Sequence, residues 1–124
     1  MIVVDTDILI EILDKGSDIG EQALTKIKES TEPIAITSIT LHEILYGRFK
    51  KSKDVGDILD LPVISYTRED ARLSALLEVS AEKGGRKVSR LDSMIAAVSI
   101  NHGARLYTNN IRDFSGFEGI ELFE

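Results

Sequence analysis

The chain opens on an apolar run, Ile2-Val3-Val4, which passes without a spacer into Asp5-Thr6-Asp7. Three consecutive β-branched residues read as a short strand buried on both faces. Ile8, Leu9, Ile12 and Leu13 then recur at helical spacing. A strand buried on both faces belongs at the centre of its sheet. Its carboxyl end is the edge at which open α/β sheets bind ligands. Asp5 is therefore predicted to stand at that edge, as the hub of a metal site to which later segments deliver further carboxylates.

The remaining pattern alternates helices with strands. A first helix is expected from about Asp7 to Asp14, ended by Gly16. A second runs from Asp18, where Asp18-Ile19-Gly20-Glu21 resembles a capping box, to about Ser30. Ile34–Thr37 is the second strand, and Thr40 leads into a helix carried by Leu41, Ile44, Leu45 and Phe49. Pro62–Tyr66 is a third strand, with proline at its start where it is tolerated. Thr67 caps a long helix that ends at Gly84-Gly85. An Ala-rich helix on Leu91, Met94, Ile95, Ala97 and Val98 precedes a fourth strand, Arg105–Thr108, then a loop or single turn over 109–114 and a candidate fifth edge strand over 119–123. No tight hairpin signal interrupts the series, so the strands are joined by crossovers and the sheet is mostly parallel, with four to five strands in a three-layer α/β/α domain. Right-handed crossovers line the carboxyl ends of all strands along one edge.

A chain of 124 residues predicts one domain spanning 1–124. It has no cysteine, which excludes disulfides and thiolate metal sites and fits a reducing cytoplasm. No apolar run approaches a membrane span and no basic leader precedes the first strand, so a cytoplasmic protein without a membrane partner is expected. The net charge of −6 argues against general nucleic-acid binding. The distribution argues the other way: Arg48, Lys50, Lys51 and Lys53 form one basic stretch, and Lys83, Arg86, Lys87 and Arg90 another. Each adjoins an acid of the candidate site. The alternative is two solvated helix ends, where cations suit the dipole.

The acids at the predicted edge are Asp5 after strand one, Glu43 in the helix after strand two, Asp92 at the start of the helix before strand four, and Asp113 after strand four. Converging without cations, they would repel and raise one another's pKa. A divalent metal removes that cost, and an oxygen-only ligand set favours Mg²⁺ or Mn²⁺ over Zn²⁺. Each acid also has a local explanation. Asp5 could cap the first helix, Thr40-x-x-Glu43 has capping-box spacing, and Asp92 suits a helix start. Thr6, Thr108, Asn109 and Asn110 are equally ordinary turn or capping residues. His42 and His102 lie on or at the end of helices and read as non-catalytic.

The ordered set Val4-Asp5-Thr6, Thr40-Leu41-His42-Glu43-Ile44-Leu45-Tyr46-Gly47, Gly84-Gly85-Arg86, Asp92-Ser93-Met94-Ile95-Ala96-Ala97 and Thr108-Asn109-Asn110-Ile111-Arg112-Asp113-Phe114 resembles the PIN-domain ribonucleases, specifically VapC-type toxins of toxin–antitoxin modules. The resemblance implies an α/β/α fold and Mg²⁺- or Mn²⁺-dependent endoribonuclease activity. It also implies a cognate antitoxin and the commonly dimeric state of that family. Carried over position by position, it gives Asp5, Glu43, Asp92 and Asp113 as metal-binding catalytic acids, with Thr6 as the supporting hydroxyl and Thr108, Asn109 and Asn110 beside them. Many members have Asn or Ser where this chain has Asp7, and some have an acid where it has Asn110. Arg48, Lys50, Lys51, Arg86, Lys87 and Arg90 are the candidate phosphate contacts for RNA.

Two other readings are open. A haloacid-dehalogenase-type phosphatase also begins with a strand ending in Asp-x-Asp, with the first Asp, here Asp5, as nucleophile. A PIN module could also bind RNA or protein without catalysis.

Overall fold

In the computed structural model, which describes residues 1–124, the chain runs β1 (Ile2–Val4), α1 (Thr6–Ile10), a π-helical turn over Glu11–Lys15, α2 (Asp18–Ser30), β2 (Ile34–Thr37), α3 (Ser38–Lys50), α4 (Gly56–Leu59), β3 (Val63–Ile64), α5 (Arg68–Lys83), α6 (Arg90–Asn101), β4 (Arg105–Tyr107) and α7 (Ile111–Phe114). The four strands form one sheet in the order β3-β2-β1-β4. All three pairings are parallel, with Ile2 opposite Ile34 and Arg105, and Val4 opposite Tyr107. The strand that opens the chain thus sits inside the sheet, as its uninterrupted β-branched run requires.

Strand alternation divides the core into two layers. Ile2 and Val4 pack with Ile8 and Leu9 of α1, Ala23 and Ile27 of α2, Ile44 of α3 and Ile58 of α4. Val3 faces the other way, onto Leu77 of α5, Ile95, Ala96 and Ala97 of α6, and Phe114 and Phe117. The Ala-rich stretch of α6 lets that helix lie close against the sheet, and Ala96 and Ala97 are fully buried.

Three expected elements differ. The fifth edge strand is reduced to one parallel bridge, Leu106 to Leu122. Gly119, at φ +89°, turns the backbone just before it and leaves too little chain for a ladder. The first helix does not run uniformly to Asp14 but widens into the π turn. There Gly20 of α2 approaches so closely that a Cβ would overlap the Glu11 carbonyl. The third helix starts at Ser38, capped by the Thr37 hydroxyl, which accepts from the Thr40 N–H at 3.0 Å. Thr40 is therefore inside the helix, and the expected Thr40–Glu43 capping box does not form.

Arg48 corrects another expectation. It is not presented to solvent for RNA but is 7% exposed. Its guanidinium pairs with Asp14 at 2.7 Å and Asp57 at 2.6 Å and donates to the Asp54 carbonyl at 2.9 Å. Burial opposes its charge, yet the Asp57 and Asp14 hydrogen bonds more than offset this and hold its pKa above the ordinary value. One side chain therefore ties the end of α3 to the π turn and to the segment entering α4. Arg48→Ala is expected to cost about 2 kcal/mol, by stranding two carboxylates that keep partial solvent contact. In urea unfolding this appears as a lower midpoint at unchanged m-value.

Candidate active site

Asp5 follows β1 directly and is 6% exposed. Its backbone N–H donates to the Tyr107 carbonyl at 2.9 Å, continuing the β1–β4 pairing one residue past the strand. Its two carboxylate oxygens are both engaged: Oδ1 accepts from the Thr6 N–H at 2.8 Å and Oδ2 from the Thr108 hydroxyl at 2.7 Å. Asp5 is thus the N-cap of α1 and a buried acid at once. Burial above all, then the charge of Asp7 and more weakly that of Asp92, push its pKa up to about 7 against the pull of the two hydrogen bonds.

Glu43 projects from α3 toward α1, where the Thr6 hydroxyl donates to its Oε1 at 2.6 Å and lies 3.2 Å from the Thr40 hydroxyl. Asp92 is the third residue of α6. Its backbone N–H donates to the Ser89 hydroxyl at 3.4 Å. Its own carboxylate makes no return bond to Ser89, so helix capping does not consume it. Burial, followed by the charges of Asp113, Glu43 and Asp7, raises the Asp92 pKa. Asp113 lies on α7, where its Oδ2 accepts from the Asn110 side-chain amide at 3.0 Å.

Asp7 proved more central than its sequence suggested. Its Oδ1 accepts from the Ile8 N–H at 2.7 Å, and its Oδ2 from the Asn109 N–H at 3.1 Å. It fastens the turn after β4 to the start of α1 and adds charge beside Asp5 and Asp92. The signal was the Asp-x-Asp spacing, which puts two acids in one helical turn. Of the residues expected to support the site, Thr6 and Thr108 act through hydroxyls, Asn109 through its backbone and Asn110 through its amide.

Asp5, Asp7, Glu43, Asp92 and Asp113 take part in none of the molecule's ion pairs. Equally, no three acidic or histidine side chains are arranged to grip a single ion among themselves. An all-carboxylate, uncompensated donor set fits a hard divalent cation that keeps part of its water shell and takes only one or two protein carboxylates directly.

The second basic stretch also differs from expectation. Arg90 lies on Glu78, with Nε at 3.1 Å and Nη2 at 3.0 Å from its two oxygens. Arg86 donates to the Asp113 carbonyl at 3.0 Å. Lys50, Lys51 and Lys87 are exposed and take part in no ion pair, with the Lys50 ammonium 5.7 Å from the centroid of the Tyr46 ring. A groove of about 240 Å³ runs from the first basic stretch to Glu43, lined by Asp14, Lys15, Glu43, Gly47, Lys51 and Lys53.

The parallel sheet flanked by helices, with Asp5 at its carboxyl edge, defines the α/β/α class, and the family model of the PIN domain matches residues 2–118. The chain belongs to the PIN-domain family. It is 30% identical over 100 residues to a tRNA(fMet)-specific endonuclease VapC of Salmonella typhimurium, covering 75% of this chain and 76% of that one. It is 29% identical to a ribonuclease VapC2 of Rickettsia felis, covering 97% and 94%. A solved Rickettsia felis VapBC2 complex bound to a promoter DNA fragment superposes with a TM-score of 0.83 at 27% identity, covering 99% and 98%. Ribonucleases of the PIN-domain family depend on metal. Family membership sets aside the haloacid-dehalogenase reading. No helix is long and apolar enough to cross a membrane.

The raised Asp5 pKa has a sign that can be tested in metal-free protein. The folded state holds the Asp5 proton more tightly than the unfolded chain, so this contribution is complete below the unfolded value near 3.8 and is lost as pH rises toward about 7. With EDTA present, unfolding free energy should fall between about pH 5 and pH 7, and the slope should flatten in Asp5→Asn. Denaturant unfolding across that range measures it. An equally steep decline in the variant would remove Asp5 as the source.

Proposed function

We propose that residues 1–124 form one PIN domain acting as the endoribonuclease toxin of a VapBC-type toxin–antitoxin pair, with Mg²⁺ or Mn²⁺ held by Asp5, Glu43, Asp92 and Asp113. The observation that carries this reading is the uncompensated acid cluster around the buried Asp5, in a chain of this family. When bound, the cation supplies an activated water and positive charge at the phosphoryl and leaving oxygens. The Asp5 carboxylate would hold the cation, kept oriented by the Thr108 hydroxyl. Thr6 does the same for Glu43. A carboxylate not fully engaged with the ion would orient the attacking water.

The RNA backbone is proposed to follow the groove beside Glu43, with Lys50, Lys51 and Lys87 as phosphate contacts. No aromatic-interleaved motif for reading bases accompanies them, which favours recognition of RNA by shape. The proteins this chain is similar to are named as VapC nucleases and VapBC complexes, and the cognate antitoxin is assigned to it on that ground. A second copy is the other expected partner. Helices α3 and α5 carry apolar side chains beyond those the core takes: Ile44 and Leu77 are core, while Phe49 is 63% and Leu76 53% exposed, beside Tyr46 and Val79. Light scattering at micromolar concentration should give twice the 13.7 kDa chain mass. A monomer there would leave the second-copy assignment without support.

The decisive measurement is cleavage of structured RNA with Mg²⁺ or Mn²⁺, stopped by EDTA. Asp5→Asn keeps the cap, since Asn caps about as well as Asp, yet cleavage should fall roughly a hundredfold or more. Asp92→Asn and Glu43→Gln should behave alike. The metal-dependent rise in melting temperature should be seen in the wild type and be absent from Asp5→Asn. Thr6→Val should cost about tenfold in metal affinity through the orientation of Glu43. Wild-type cleavage indifferent to EDTA, or full activity in Asp5→Asn, would sink the assignment.

A further inference from the structure

Asp113 stands on α7, a single turn of helix. Its carboxylate accepts only from the neighbouring Asn110 amide, a contact internal to the same turn. Nothing in that bond fixes where the turn as a whole lies. Phe114, on the same turn, is buried in the core beneath it, and a second contact comes from outside. The Arg86 guanidinium, from the loop joining α5 to α6, donates through Nη2 to the Asp113 backbone carbonyl at 3.0 Å. The same guanidinium lies 5.9 Å from the centroid of the Phe117 ring. Phe117 in turn meets Phe114 edge-on at 5.9 Å, and both rings are buried in the layer under α6. The guanidinium also rests on Gly116, where a side-chain Cβ would overlap its central carbon and both terminal nitrogens. The Arg86 backbone is itself anchored, its N–H donating to the Ala81 carbonyl at 2.8 Å.

We propose that Arg86 is a positioning residue for the active site: it clamps the backbone of α7 and the turn behind it, and so sets the Asp113 carboxylate beside Asp92. The inference rests on the reading of Asp113 as part of the acidic site. It assigns Arg86 a task other than holding RNA phosphate and gives Gly116 a reason to lack a side chain. Both residues sit in a loop and a turn that periodicity leaves unspecified. The charge that Asp113 places on Asp92 is consistent with this closeness. Arg is suited to the task because its planar fork can donate to a carbonyl while stacking on a ring, which a lysine ammonium cannot do in one geometry.

Two substitutions break the clamp independently. Arg86→Gln removes the fork. Gly116→Ala leaves Arg86 in the sequence but displaces its flexible end. Gly116 has no left-handed φ, and the three atoms nearest an added Cβ all belong to the flexible end of Arg86. Two readouts are taken on the intact chain. The first is amide hydrogen exchange over 111–117 without metal, which reports the clamp whether or not a metal binds. The second is Mn²⁺ affinity by calorimetric titration, which reports the site.

Both variants should speed exchange over 111–117 about tenfold, leave α5 and α6 at wild-type rates, and weaken Mn²⁺ roughly tenfold. Asp113→Asn should weaken Mn²⁺ with exchange little changed. Adding Arg86→Gln to Asp113→Asn should weaken Mn²⁺ no further, because Arg86 acts through Asp113. Unchanged exchange in Arg86→Gln would overturn the clamp itself. Faster exchange with wild-type Mn²⁺ affinity, or an additive loss in the double variant, would overturn the positioning role. Wild-type protein that takes no Mn²⁺, or Asp113→Asn that binds it as well as wild type, would overturn the reading of the site and the positioning role with it, while the exchange data would still report the clamp.

Discussion

One carboxylate is held where water hardly reaches. Asp5 lies at the junction of β1 and α1, its backbone paired to Tyr107 and its side chain enclosed between the Thr6 N–H and the Thr108 hydroxyl. Burying a carboxylate is unfavourable unless its lone pairs are met. Here they are met by a helix start and by the strand end on the other side of β1. The arrangement therefore requires β4 to be β1's neighbour, and α6, which precedes β4, arrives with Asp92 on its first turn. The hydrogen bonds reduce the cost without removing it, and the pKa of about 7 is what remains.

The charges in this molecule are sorted. Its strongest cation contacts are away from the acids of the site: Arg48 with Asp14 and Asp57, Arg90 with Glu78, and Arg105 with Glu32. Of the five acids at the sheet edge, the carboxylates of Asp5, Asp7, Glu43 and Asp113 receive hydroxyls and amides, and none of the five carboxylates receives an ammonium or guanidinium group. Neutral donors orient a carboxylate while leaving its charge available, whereas an ion pair would spend it. Such an arrangement suits a divalent cation, and Thr6, Thr108 and Asn110 are the side chains that supply the neutral donors.

The site has two flanks of different construction. On one, α1 and α3 face each other through Thr6 and Glu43, both on helices anchored by buried Ile8 and Ile44. On the other, Asp113 rides on a short turn secured by Phe114 beneath it and Arg86 above it. Asp7 bridges the flanks by holding the Asn109 N–H. The first flank draws its rigidity from the core, the second from a few specific contacts.

How much of this was legible in the sequence follows from what local patterning encodes. The β-branched run before Asp5, the helix-strand alternation and the lack of hairpin signals determined a parallel sheet with β1 inside it and Asp5 at its carboxyl edge, because burial on both faces leaves a strand no other place. The ordered acids Asp5, Glu43, Asp92 and Asp113 were legible as candidates. Their local explanations separated only in three dimensions: Asp5 is a cap, whereas Glu43 and Asp92 complete no capping box. Tertiary structure alone decided that Arg48 lies inside with two aspartates, that α1 opens into a π turn where Gly20 presses on it, that 119–123 makes one bridge and not a strand, and that Asp7 and Arg86 hold the segments carrying other acids. The physical reason is one of range. Periodicity and capping act over one or two turns of chain, while each of these outcomes depends on a partner many residues away, whose distance is set only when the layers close on the sheet.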